Sequence, residues 1–238
     1  MTVVAYALAA LCLIWWLLAL AVARIALVTQ RLEDLPLVDR DSWPSVAVVA
    51  PAKDEGAALE PALRSRLRSD YPALRIVVID DRSEDGTGAT ADRLAAAEPR
   101  IEVVHVTELP PDWLGKLNAL QRGVNATDAD WLLFSDADVH IAPGTLRRAV
   151  HYAEEHGVDL VTAMPHVLPG GLGVNSIHAV FLTFLAPAFD APRAENPESS
   201  FAPAVGAFSL VRRSALAKTP GFPSIRLCVD DDLQLGLM

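Results

Sequence analysis

Cysteine is nearly absent: Cys12 and Cys228 are the two among 238 residues. Thiols so placed make no disulfide framework, and no C-x-x-C is present to seat zinc. That usage suits a reducing compartment. The six histidines show no metal-ligand spacing; His151 and His156, five apart, fall on different faces of a helix. No strand-like run is followed by G-x-G-x-x-G, so dinucleotide binding has no support. Fixed-period repeats and low-complexity tracts are missing too. Basic residues are in deficit, 20 Lys and Arg against 30 Asp and Glu, for a net charge of -10. An acidic surface speaks against nucleic acid, whose phosphates need a basic face. A small phosphate-bearing ligand stays open, because a bound divalent cation reverses the local sign. Hydrophobic residues make up 52%, enough for a large core and too many for disorder.

Charge is missing altogether from residues 1–23, MTVVAYALAALCLIWWLLALAVA. That length spans a bilayer core of about 30 Å as a helix. A cleaved signal peptide has a basic leading segment and a shorter apolar run, and neither is present. Arg24 and Arg31 follow the run and no Lys or Arg precedes it. The positive-inside rule then puts the rest of the chain in the cytoplasm. Residues 1–24 are read as a transmembrane helix. Residues 25–44, punctuated by Pro36 and Pro44, are read as a juxtamembrane connector.

From residue 45 the pattern alternates. Apolar strands are expected at 45–50, 74–80, 101–106, 131–135 and 158–163, with helices at 57–69, 85–97, 115–125 and 143–156. Short continuous apolar runs separated by helices predict an α/β domain, a mostly parallel sheet with helices on both faces. After residue 164 come a glycine loop and an apolar segment, 176–189, too short to span and read as a buried or interfacial helix. Residues 204–213 predict a strand leading into a short helix, and another helix begins in VDDDLQLGLM.

In such a sheet ligands bind at the carboxyl ends of the strands. Carboxylates collect there: Glu55 after the first strand, Asp80 and Asp81 at the end of the second, Asp136 and Asp138 after the fourth. Residues two apart at a strand end point the same way, so Asp136 and Asp138 repel unless a cation relieves them. Hard oxygen ligands select Mg²⁺ or Mn²⁺, shared with substrate phosphates; the alternative is a solvated Asx turn. Asp80 or Asp81 can accept hydrogen bonds from a nucleobase or ribose, beyond the strand-to-helix turn that Ser83, Asp85 and Gly86 supply. Lys116 opens a helix against its dipole, which reads either as a solvated lysine or as part of a phosphate site. Among Asp230, Asp231 and Asp232, one can serve as a general base to an acceptor hydroxyl, beyond favouring the helix dipole.

The ordered set P-A-K-D-E (51–55), V-I-D-D-R-S-E-D-G-T (78–87), G-K-L-N-A-L (115–120), S-D-A-D (135–138), V-G-A-F-S-L-V-R-R (205–213) and D-D-L-Q-L-G (231–236) resembles the family 2 glycosyltransferases. The likeness spans residues 45–238 and is nearest to membrane-bound, lipid-directed members. It implies a glycosyltransferase-A fold and inverting transfer from a nucleotide sugar, a UDP-sugar by preference, to a hydroxyl of a membrane lipid or polyisoprenoid. Pro51, Ala52 and Glu55 would border the nucleoside, Asp80 or Asp81 would contact uracil or ribose, and Lys116 and Gly206 would lie on the donor. Asp136 and Asp138 match the D-x-D that holds the metal on the diphosphate. Asp231 and Asp232 match the family's Glu-Asp pair, with Asp232 the base and Asp231 a departure from Glu. Lipid-directed members also carry Q-x-x-R-W and further membrane helices. Neither occurs in these 238 residues, so either the chain is shorter than the full enzyme, the reading preferred, or its acceptor side is completed otherwise. Two rivals remain: a phosphohydrolase with Asp136 as nucleophile, and an anchored subunit that binds nucleotide sugar without turnover.

Overall fold

The computed structural model describes residues 2–189, 191–194 and 201–238. The chain runs α1 (Thr2–Val28), β1 (Val46–Ala52), α2 (Leu59–Leu67), β2 (Leu74–Asp81), α3 (Thr87–Ala97), β3 (Ile101–Val106) and α4 (Gly115–Asn125). It continues through β4 (Trp131–Phe134), α5 (Thr145–Glu155), β5 (Leu160–Thr162), α6 (Leu172–Phe189), α7 (Ala191–Ala194), β6 (Ser209–Arg212), α8 (Arg213–Leu216) and α9 (Asp231–Leu237). Two compact units result: Met1–Arg31 with His166–Ala202, and Leu32–Pro165 with Pro203–Met238.

The larger unit is built on one six-stranded sheet in the order β3-β2-β1-β4-β6-β5. Successive residues of a strand point to opposite faces, so a strand buried on both sides reads as an unbroken apolar run. β1 shows this directly. Val46 and Val48 enter one core with α2, α3 and α5, while Ala47 and Val49 enter a second core under α4. β1, β2, β3 and β4 are parallel, as expected, but β6 runs antiparallel to both β4 and β5. The reason is connectivity. The chain reaches β6 from the rim where β4 ends, so β6 starts there.

Residues 32–44, part of the connector expected at 25–44, belong to the larger unit. Arg148 Nε donates to the Leu35 carbonyl at 2.9 Å, and Tyr71 Oη donates to the Pro44 carbonyl at 2.6 Å. Trp43 meets Tyr71 edge-on at 5.4 Å and takes the guanidinium of Arg40 over its ring.

In the smaller unit α1 extends four residues past the expected bound and carries an apolar stretch, Thr2–Ile25, long enough to cross a membrane. α6 begins at Leu172, four residues before the expected start.

Candidate functional site

Strand register builds the rim. Ala52 pairs with Asp80, and Val49 pairs with Phe134, so β1, β2 and β4 end side by side. The strand order turns back between β1 and β4, the switch point at which open sheets bind ligands. Because β6 is antiparallel, its leading segment reaches the same rim. The Asp136 N–H donates to the Gly206 carbonyl at 3.0 Å.

One pocket there is lined by Pro51, Lys116, Asp136, Gly206, Asp231 and Asp232, with Leu120, Phe134, Phe222 and Leu235 as its apolar floor. These expected site residues come from five separate segments. Lys116 ties them together: its Nζ is 3.3 Å from Asp136 Oδ1, 3.2 Å from Asp231 Oδ2 and 3.6 Å from Asp232 Oδ1. Burial disfavours the ammonium, but Asp136, Asp232 and Asp231 outweigh it and hold Lys116 above its ordinary value. Three carboxylates explain a lysine placed against its helix dipole. Burial lifts the Asp232 carboxyl above the usual range; Lys116 opposes that rise, and Asp231 and Asp136 reinforce it. Asp230 stands apart, its carboxylate accepting from Gln234 Nε2 at 3.1 Å one helical turn on.

A second acidic set shares Asp136. Glu55 is raised by its own burial, then by the charges of Asp138 and Asp136. Beneath lies Arg66 of α2, fully buried. Its Nη2 donates to the Asp136 carbonyl and, at 3.3 Å, to Ser135 Oγ, while Ser135 Oγ donates to the Ala207 carbonyl at 2.9 Å. Nε and Nη1 of Arg66 have no hydrogen-bond partner. Burial pulls its guanidinium down to about 10, against Asp138, Asp136 and Glu55, so it remains a cation at neutral pH. The neighbouring Ser65 Oγ accepts the Ile141 N–H at 3.1 Å, pinning the far end of the turn that carries Asp136 and Asp138.

Asp80 and Asp81 part company, as adjacent strand residues must. Asp80 turns toward α3: its Oδ2 meets His105 Nδ1 at 2.9 Å, and His105 Nε2 meets Asp92 at 3.0 Å. Asp80 Oδ1 is buried and without a hydrogen-bond partner. Asp81 turns toward the start of α4, where a Cβ on Gly115 would meet its Oδ2 at 2.4 Å. Arg82, at a left-handed φ of 57°, folds back and clamps both Asp81 oxygens at 2.8 Å. Ala52 is at the rim by its backbone alone, since its methyl group belongs to the core.

Five carboxylates, Glu55, Asp136, Asp138, Asp231 and Asp232, thus face two cations, Arg66 and Lys116. Among the described residues no group of three or more His, Cys, Asp or Glu side chains is placed to hold a metal ion. Of the five carboxylates, Asp136 and Asp138 carry the hard oxygen donors that could supply part of the shell of a divalent cation.

Sequence reading missed Arg66, Ser135 and His105. An arginine inside an amphipathic helix reads as surface, and nothing local marks it as buried under a loop 70 residues away. Gly206 was found by motif, and its physical role is space: a Cβ there would lie 2.7 Å from Asp232 Oδ2 and 3.0 Å from Asp136 Oδ2. Gly206→Ala is expected to displace these carboxylates while keeping the fold. Turnover should fall by about 10²-fold, the cost of misplacing a reacting group by an ångström. The melting temperature should move by less than about 4 °C, equivalent to under 1 kcal/mol.

A profile of glycosyl transferase family 2 matches residues 47–219. Polyprenol monophosphomannose synthase of Mycolicibacterium smegmatis is 37% identical over 129 residues, covering 52% of this chain and 46% of that protein. Beta-monoglucosyldiacylglycerol synthase of Synechocystis is 31% identical over 149 residues, covering 59% of this chain and 30% of that protein. The chain spans half the length or less of both. The solved structure of a mannosyltransferase from Pyrobaculum calidifontis, in complex with GDP-Man and Mn²⁺, superposes with a TM-score of 0.63 at 22% identity. It covers 92% of this chain and 58% of that one, a likeness of fold.

Proposed function

The chain belongs to glycosyl transferase family 2, and on that premise we propose that it transfers a sugar, with inversion, from a nucleotide sugar to a hydroxyl of a membrane lipid. The observation that carries this reading is the meeting of Asp136, Asp231 and Asp232 around Lys116 beside Pro51 and Gly206. Acceptor and leaving-group chemistry then share one small volume.

Asp232 accepts the proton of the acceptor hydroxyl. The acceptor oxygen bonds to the anomeric carbon, and the bond from that carbon to the diphosphate oxygen breaks. The electron pair leaves with the nucleoside diphosphate. Lys116 and Asp231 orient Asp232. Asp138 and Asp136 would hold a divalent cation, Mg²⁺ or Mn²⁺, which when bound supplies electrostatic stabilisation to the leaving diphosphate. Arg66 fixes the turn that presents those two carboxylates. Asp81, which turns toward the start of α4 where Lys116 lies, is the acid assigned to contact with the base or ribose.

The donor we propose is a UDP-sugar. Guanine presents N–H donors to a carboxylate as uracil does, so UDP-glucose and GDP-mannose must compete in one assay. The two curated relatives are named for different sugars, and both names contain a lipid. α1 anchors the protein in the membrane, with the catalytic unit on the cytoplasmic side, as Arg24 and Arg31 indicate by the positive-inside rule.

The test is transfer of labelled sugar into organic-extractable lipid by the full chain in membranes. EDTA should abolish it and excess Mn²⁺ or Mg²⁺ restore it. Asp138→Ala should lower it by about 10²- to 10³-fold, as removal of a leaving-group stabiliser does. Undiminished transfer by Asp138→Ala would sink the assignment of the cation seat.

A further inference from the structure

We propose that α6 is inserted in the hydrocarbon of the same bilayer as α1, so that the smaller unit is a two-helix membrane element. This rests on the reading of α1 as a membrane span. Three observations within that unit carry it.

First, α6 is 18 residues long and has no Asp, Glu, Lys or Arg. At 1.5 Å per residue that is about 27 Å, close to the hydrocarbon thickness. A helix lying flat in the headgroup region has a strongly charged face, and α6 has none.

Second, its hydroxyls are satisfied inside the helix. Ser176 Oγ donates to the Leu172 carbonyl at 2.8 Å, and Thr183 Oγ1 donates to the Ala179 carbonyl at 2.6 Å. Such back-bonding occurs in soluble helices too, but in lipid it is required, because every polar group must find its partner within the protein. Asn175 accepts the Gly170 N–H at 3.0 Å, closing the approach to the helix.

Third, large apolar side chains of α6 stand outward: Leu172 is 90% exposed, Ile177 71% and Phe181 57%. Such a surface needs a cover. Its neighbour in this unit is α1, whose own apolar span has no buried share. Two apolar helices packed side by side and bare on their outer faces match lipid on both, and the charge-free cover continuous with a spanning helix is the bilayer core.

The experiment uses the full chain with Cys12→Ala and Cys228→Ala, reconstituted in phosphatidylcholine–phosphatidylglycerol vesicles. Single cysteines replace Leu13 in α1, Ile177 and Phe181 in α6, and the exposed Arg68 just after α2, each carrying a nitroxide. Collision with oxygen reports lipid, and collision with a water-soluble nickel chelate reports water. The expected oxygen-to-nickel ratio at Ile177 and Phe181 equals that at Leu13 and stands several-fold above that at Arg68. Nickel-accessible labels at Ile177 and Phe181, with Leu13 in lipid, would overturn the insertion of α6 alone. Labels there reached by neither reagent would overturn it too, because protein would then be the cover. A nickel-accessible Leu13 would remove the membrane premise itself.

Discussion

Asp232→Asn lowers sugar transfer by about 10²- to 10⁴-fold, the usual contribution of a positioned general base, while donor binding stays within a few-fold. Asparagine keeps the shape and lets the fold stand, but its amide cannot take a proton. Burial holds the Asp232 carboxyl above the usual range, Lys116 opposes this, and Asp231 and Asp136 add to it. A carboxylate so raised is a stronger base than an exposed one. Calorimetry with the nucleoside diphosphate and a radiochemical transfer assay separate the two effects. A lipid hydroxyl depends on this base. A lipid phosphate has a second pKa of about 6 and arrives already ionised, so a variant that kept full turnover would point to a phosphate acceptor.

Lys116→Met removes the cation that three carboxylates share. Hydrogen bonds to charged groups contribute about 1.5–3 kcal/mol, so kcat/KM for the donor is expected to fall by about 10- to 100-fold. The apparent affinity for the divalent cation should move the other way, because a more acidic site attracts a cation more strongly. The pH profile gives a third readout. Lys116 depresses the Asp232 carboxyl, so its removal raises that group. Asp232 must be ionised to act, so the acid limb of kcat/KM moves to higher pH. A solvated, uninvolved lysine would move none of the three.

Much of the rim was legible because strand periodicity and strand-end placement are local signals. β1 to β4 lay within a residue or two of their apolar runs, and Asp136 follows β4 where WLLF ends. What stayed hidden depended on long-range geometry. Gly206 itself was legible from its motif, but it reaches the rim because β6 is antiparallel, a direction no local pattern in AVGAFSLV encodes. Arg66 sits among polar neighbours in LRSRLRS, and its burial follows from the loop that closes over α2. Asp80 and Asp81 look equivalent as letters, but pleating sends one to His105 and the other to Arg82. α6 was foreshortened because Gly170, Gly171 and Gly173 read as a loop, while the helix starts among them at Leu172.

The most direct measurement uses a nucleotide sugar doubly labelled, with tritium in the sugar and ³²P in the β-phosphate. It is presented to the full chain in lipid vesicles with a divalent cation. Tritium should pass into the lipid phase while ³²P stays with the released nucleoside diphosphate, and Asp232→Asn should abolish the separation. Retention of both labels on intact, bound donor would mean a binding subunit. Release of ³²P as inorganic phosphate without lipid-borne tritium would mean hydrolysis, and either result would contradict sugar transfer at this rim.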